Sequence, residues 1–153
     1  MSVKNQALNP SESSAHEPVA QAMRQMGRAW HSALAEALEP LRLTVLQWVV
    51  LELVIDSPGL SQTAIAKGVG IEGPSLVRVL DELEKDGWLQ RKPDAQDRRV
   101  KRVFLGDDST LRIGQAQRCA QSLQARSLSD MSEQEQELML RLIRKMTTSL
   151  RGI

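Results

Sequence analysis

Three features of this 153-residue sequence predict a mainly α-helical chain with one small β-hairpin. Apolar residues recur at steps of three and four along most of it. One stretch, residues 88–105, alternates apolar and polar residues around a polar turn instead. Gly and Pro gather at residues 57–59 and 68–74, where they separate helical segments.

Residues 1–15 are rich in Ser, Asn and Gln without apolar period, and predict a flexible tail. From about His16, Val19, Met23, Met26, Trp30, Leu34 and Leu38 share one face of a helix that must stop at Pro40. A stripe of that length packs on a partner. Thr44 with Gln47 three residues on is a capping-box spacing, opening a second helix that runs to Ser57-Pro58-Gly59. Ser61 is placed to cap a short helix over residues 62–67. Gly68, Gly70 and Gly73 then punctuate a tight turn, and Pro74 sits where a first helical turn accepts it.

In the next helix, 74–86, Leu76, Leu80 and Leu83 fall on one face with Val77 beside them. Ser75, Arg78, Val79 and Glu82 fall on the other, with Glu82 four residues from Arg78 as a possible ion-pair partner. Gly87 closes the helix. Residues 88–92 and 100–105 predict two strands joined by the turn 93–99. Two further helices follow, 111–128 and 133–150, the second opened by Ser132 and Glu135. The order is a helix-turn-helix with a wing, flanked by helices. It divides the chain into a tail (1–15), a first helix (16–40), a central lobe (41–106) and a terminal helix pair (107–153).

Composition narrows the function. The lone Cys119 forms no internal disulfide, and it lies mid-helix without the electropositive setting of a reactive thiolate, so a reducing, cytoplasmic setting is expected. The longest apolar runs fall far short of the ~20 residues of a membrane span, so no membrane partner is expected. Two His and one Cys, widely spaced, make no metal site, and no cofactor is expected. No nucleophile elbow, phosphate-cradling Gly loop or clustered carboxylates suggest an enzyme.

The net charge is only +1, but its distribution is uneven. Residues 91–102 hold six cations (Arg91, Lys92, Arg98, Arg99, Lys101, Arg102) against Asp94 and Asp97. A helix entering the major groove reads bases with residues near its N-terminus, and the fork of Arg78 matches O6 and N7 of guanine. Arg98 and Arg99, at a hairpin tip, suit the negative potential of a minor groove, with Asp97 able to brace one of them. The alternative is a winged-helix module in which the same arginines meet an acidic protein partner.

Leu43-Thr44-Val45-Leu46-Gln47-Trp48, Leu60-Ser61-Gln62-Thr63-Ala64-Ile65-Ala66, the run from Gly70 to Gly87, and Asp97-Arg98-Arg99-Val100-Lys101 resemble the MarR family of bacterial transcription regulators, close to its SlyA branch. The resemblance covers about residues 18–153. It implies a homodimer joined through the first and last two helices, acting as a repressor on double-stranded DNA. The implied DNA-binding positions are Ser61, Gln62, Thr63, Pro74, Ser75, Arg78, Asp97, Arg98, Arg99 and Lys101, with Arg99 rather than Arg98 entering the minor groove. Gly106 departs from the Thr common in the family, which bears on how the last helix pair is capped. Relatives often release DNA when a small aromatic acid enters a crevice between the dimer helices and the DNA lobe. Arg28 and His31, one turn apart, with Thr44 and Trp48, suit an aromatic or heteroaromatic carboxylate, since a guanidinium pairs with the acid while an indole stacks on the ring.

Overall fold

The computed structural model describes residues 10–151, with side chains described over 17–150. Helix α1 (Pro10–Leu38) leads through a 3-10 turn at Glu39–Leu41 into α2 (Val45–Asp56). Strand β1 (Leu60–Ser61), α3 (Gln62–Val69), α4 (Gly73–Lys85), β2 (Leu89–Pro93) and β3 (Lys101–Leu105) complete the lobe, and α5 (Thr110–Leu128) and α6 (Glu133–Arg151) follow. The helix begins at Pro10, so residues 10–15, expected in the flexible tail, are helical; the rest of that expectation, residues 1–9, lies outside the described residues.

Local signals set most boundaries. The Thr44 hydroxyl accepts from Gln47 N at 3.2 Å while the Gln47 side chain accepts from Thr44 N at 2.9 Å, a reciprocal capping box. Ser61 Oγ accepts from Ala64 N at 3.2 Å and starts α3. Ser132 and Glu135 open α6 in the same reciprocal way as Thr44 and Gln47. The Ser132 hydroxyl, donating to Glu135 Oε2 at 2.7 Å, and then the Ser132 backbone N–H hold the Glu135 carboxyl below its ordinary range. Gly87, at φ 72°, takes the left-handed turn that lets the chain leave α4 for β2.

The sheet has the order β1-β3-β2, antiparallel throughout, with Leu60 opposite Val103 and Arg91 also opposite Val103 from the other side. The sequence expectation contained only the hairpin. Two residues are too short for a periodic signal, and β1 is a strand only because β3 lies beside it.

One core joins every layer. Trp48, Val50, Leu51 and Val54 of α2 pack with Ile65, with Leu76, Leu80 and Leu83, with Leu89 and Val103 of the hairpin, and with Leu34, Leu38, Ile113 and Ala116 of the flanking helices. Helix α2 is apolar almost all round because it is central, with neighbours on most sides. Trp88, buried at the wing's base, is covered by the Arg112 guanidinium 3.8 Å from its ring centroid, which also donates to Asp86 O at 2.8 Å.

Gly106 has a reason other than capping choice. A Cβ there would lie 2.4 Å from the Gly87 carbonyl oxygen, so the end of β3 passes the α4–β2 turn at a distance only glycine permits. Ser109, at the start of α5, does not cap the helix with its side chain; its buried hydroxyl instead donates to Gly106 O at 2.6 Å.

The long stripe of α1 divides. Leu34 and Leu38 are buried in the chain's own core, whereas Val19, Met23 and Met26 are exposed. Helix α6 exposes Leu138, Met139, Leu140, Leu142, Ile143 and Leu150. An apolar groove between α1, α5 and α6 is lined by Met26, Trp30, Leu123, Leu128, Met139 and Ile143. Among the described residues, no helix is long and apolar enough to cross a membrane.

Candidate nucleic-acid interface

Helix α4 is seated by Leu76, Leu80 and Leu83, all essentially solvent-free, so the opposite face must point outward. Pro74, Ser75 and Arg78 are exposed on that face. Among the described residues no side chain hydrogen-bonds the α4 N-terminus, whose N-cap residue is Glu72. Thr63, in the first turn of α3, is also exposed, while Ser61 is committed to capping and Gln62 is half-buried.

Two departures from the helical-wheel expectation concern α4. The suggested Arg78–Glu82 pair is absent: Glu82 Oε2 instead accepts from Gln47 Nε2 at 2.9 Å, and Arg78 has no ion pair among the described residues. Val77 and Val79 exchange roles, with Val77 exposed and Val79 half-buried against the core. A wheel does not say how far the neighbouring helices reach around each flank, and here they cover one flank more than the other.

Polar contacts lock α4 at both sides. Gln47, only 7% exposed, caps α2 with its oxygen and holds Glu82 with its nitrogen, tying α2 to the middle of α4. Arg91 of β2 donates to Asp81 Oδ1 at 2.7 Å and, from Nε, to Glu84 Oε2 at 2.9 Å; its backbone N donates to Glu84 Oε1 at 2.8 Å. The Arg91 hydrogen bonds hold the Glu84 carboxyl below its ordinary range and raise the Arg91 guanidinium.

The wing turn is organised by Asp94. Its Oδ1 accepts from the backbone N of Gln96 at 2.8 Å and of Asp97 at 3.1 Å, and its Oδ2 accepts from Arg102 Nε at 2.6 Å. The Arg102 contact, followed by those backbone donors, brings the Asp94 pKa down to about 2. Asp97 Oδ1 in turn accepts from Arg99 N at 3.0 Å and Arg99 Nε at 3.3 Å. Of the two arginines that Asp97 was expected to brace, it therefore contacts Arg99, whose side chain is still 93% exposed.

The six cations of residues 91–102 are thus not equivalent. Arg91 and Arg102 are held in ion pairs with Asp81, Glu84 and Asp94, the latter arginine also donating to Gly59 O at 3.3 Å, and Lys92 stands 5.6 Å over the Phe104 ring. Arg98, Arg99 and Lys101 are exposed. Three residues with positioning roles escaped the sequence reading: Gln47, read only as a cap; Asp94, whose Pro-Asp turn signature was available; and Arg91, counted with the loop charges.

The four residues expected around a carboxylate do not come together. Arg28 and His31 line one shallow, open groove along α1 with Arg24 and Ser32. Trp48 is 2% exposed and borders a different groove, between α2 and α5, with Glu52, Asp56, Gln117 and Gln121. Burial raises the Glu52 carboxyl, opposed by the Trp48 indole and reinforced by Asp56, so that groove is acidic where a carboxylate would need the opposite sign. The Thr44 hydroxyl is committed to its cap.

Residues 43–101 match the family model described as the MarR family. The transcriptional regulator PA3341 is 31% identical, with a TM-score of 0.79 over 88% of this chain and 99% of its own. CouR, a transcriptional repressor bound to a 23-mer DNA duplex, is 25% identical with a TM-score of 0.79 over 93% of this chain and 99% of its own. A mutant MarR from E. coli, complexed with operator DNA, shares the fold at 23% identity, with a TM-score of 0.76 over 84% of this chain and 93% of its own.

Proposed function

The chain belongs to the MarR family, and we propose that it is a sequence-specific transcriptional repressor that binds a pseudo-palindromic operator as a homodimer. The carrying observation is the pairing of an outward α4, presenting Pro74, Ser75 and an Arg78 with no ion pair among the described residues, with a wing that keeps Arg98, Arg99 and Lys101 exposed. Arg78 is the direct reader, forking onto a guanine in the major groove. Arg99, preset by Asp97, enters the minor groove, and Arg98 and Lys101 supply sequence-independent attraction. Ser61, Gln62 and Thr63 at the start of α3 face the DNA backbone, as α3 does in the helix-turn-helix docking mode.

The exposed apolar faces of α1 and α6 support the dimer, because patches of this kind on a soluble chain mark an interface. The implied division is a lobe over 41–106 between dimerising segments at either end. Two symmetry-related α4 helices then meet successive major grooves, with half-sites about 34–36 Å apart.

An aromatic carboxylate that releases DNA is retained as the effector class on a narrower basis, the Arg28 and His31 groove alone. One titration tests all of this: fluorescence anisotropy of the protein on DNA from its own upstream intergenic region, at several salt concentrations, with and without a panel of aromatic carboxylates. Tight binding with a log–log salt slope of several units supports the regulator. Relief by a carboxylate that Arg28→Ala abolishes supports the effector site. No preference over random DNA there or in a genome-wide selection, combined with binding to an acidic protein, favours the protein-contact reading.

A further inference from the structure

Val77 is 40% exposed and is the only large apolar side chain exposed within residues 60–105 among the described residues. Most other exposed large apolar residues lie on α1 and α6, where a second copy accounts for them; this one stands on the helix that carries Arg78. Its β-branched side chain has lower helix propensity than the residues that usually fill an exposed helical position, so neither core burial nor local preference explains it. Pro74, one turn earlier, is exposed beside it, and the two form a small apolar surface next to the outward guanidinium.

Chemistry selects what that surface fits. Among the base edges in the major groove, only thymine presents an apolar group, its 5-methyl. Val77 and Arg78 differ by 1.5 Å in height and about 100° around the helix axis, so a short branched group and a long fork project toward different base pairs. We infer that Val77 reads the 5-methyl group of a thymine in the base step adjoining the guanine contacted by Arg78, making Val77 a specificity-determining residue. This inference rests on the proposed DNA-binding function and deepens it.

The test uses a duplex enriched by the full-length protein from a randomised pool, with each thymine of the half-sites replaced in turn by deoxyuridine, which removes only the methyl group. One thymine per half-site is expected to weaken wild-type binding about fourfold when replaced, the effect of uncovering one methyl. Val77→Ala loses a similar factor on the thymine duplex and becomes indifferent to deoxyuridine at that position. Val77→Thr, which keeps a branched methyl, retains part of the discrimination. Binding insensitive to deoxyuridine at every position, or a Val77→Ala protein that keeps the wild-type deoxyuridine penalty, overturns the inference and leaves the regulator intact. A pool from which nothing is enriched overturns both.

Discussion

The central lobe and the helical arms carry apolar residues at the same helical spacing, yet they use them in opposite ways. In the lobe, Leu76, Leu80 and Leu83 of α4 are closed off by α2, α3 and the hairpin, and the residues left outside are mostly polar. In the arms, Val19, Met23 and Met26 of α1 and Leu138, Leu142 and Ile143 of α6 remain exposed. A stripe on a helix therefore says that a surface will be buried, not by which chain. The lobe's stripe is buried in a core shared with Leu34, Leu38, Ile113 and Ala116 of the flanking helices, whereas the outer stripes of the arms stay exposed within the chain, as the proposed dimer requires.

That contrast is broken most sharply by polar substitutions in the arms. Met26→Glu combined with Ile143→Glu is expected to give a folded lobe on a monomeric chain. DNA affinity should fall by a factor on the order of 100 or more as the second lobe's avidity is lost. Sedimentation and anisotropy check this, and a persistent dimer would show that the exposed apolar faces are not its interface.

The mirror experiment is Leu80→Ala, which leaves a cavity in a site with no solvent access. It should lower unfolding stability by about 2–5 kcal/mol in a denaturant titration while leaving the dimer intact below the transition. Arg78→Ala and Arg99→Ala touch neither core nor interface. The first should remove about 1–3 kcal/mol of discrimination at one base pair, and the second should weaken binding to all sequences and reduce the salt slope by about 1. Equal effects from both would contradict their separate roles.

Smaller effects separate ordering from stability within the lobe. Asp94→Asn should loosen the wing turn, seen as faster amide exchange at Gln96 and Asp97 and weaker DNA binding, with little change in melting temperature. Its depressed pKa means that its contribution is present above the ordinary value of 3.8 and is lost only as pH falls through about 2, so the wing should stay ordered at pH 4. Glu52 has the opposite sign. Its raised carboxyl favours the folded state most when protonated, so Glu52→Gln should stabilise the neutral-pH protein by less than about 1 kcal/mol, given solvent screening. The advantage should shrink as pH falls through the raised folded-state value and be gone below the ordinary 4.5.

Much of the interface was legible because it depends on local chemistry. The Thr44 and Ser132 boxes, the Ser61 cap and the Gly87 turn are decided within four residues of themselves, and the structure contains each of them. The outward face of α4 also followed from period, except at Val77 and Val79, where the reach of neighbouring elements determines which flank is covered. The engagement of Arg91 and Arg102 was not legible, because Asp81 and Glu84 are brought to Arg91 by the turn at Gly87, and Asp94 and the Gly59 carbonyl are brought to Arg102 by the hairpin and by pairing with β1. Nor was the separation of Trp48 from Arg28 and His31, since one sequence does not say which side of α2 meets α1.

By itself the sequence determined the order of helices, the caps that start them, the hairpin and the presence of a basic turn, because each depends on contacts along a few residues of chain. Only the tertiary structure decided which cations remain without an ion pair among the described residues, which valine faces out, why residue 106 must be glycine, and where the chain leaves apolar surface exposed. Those outcomes depend on elements distant in sequence competing for the same space and the same hydrogen-bond partners, and no local pattern encodes the result of that competition.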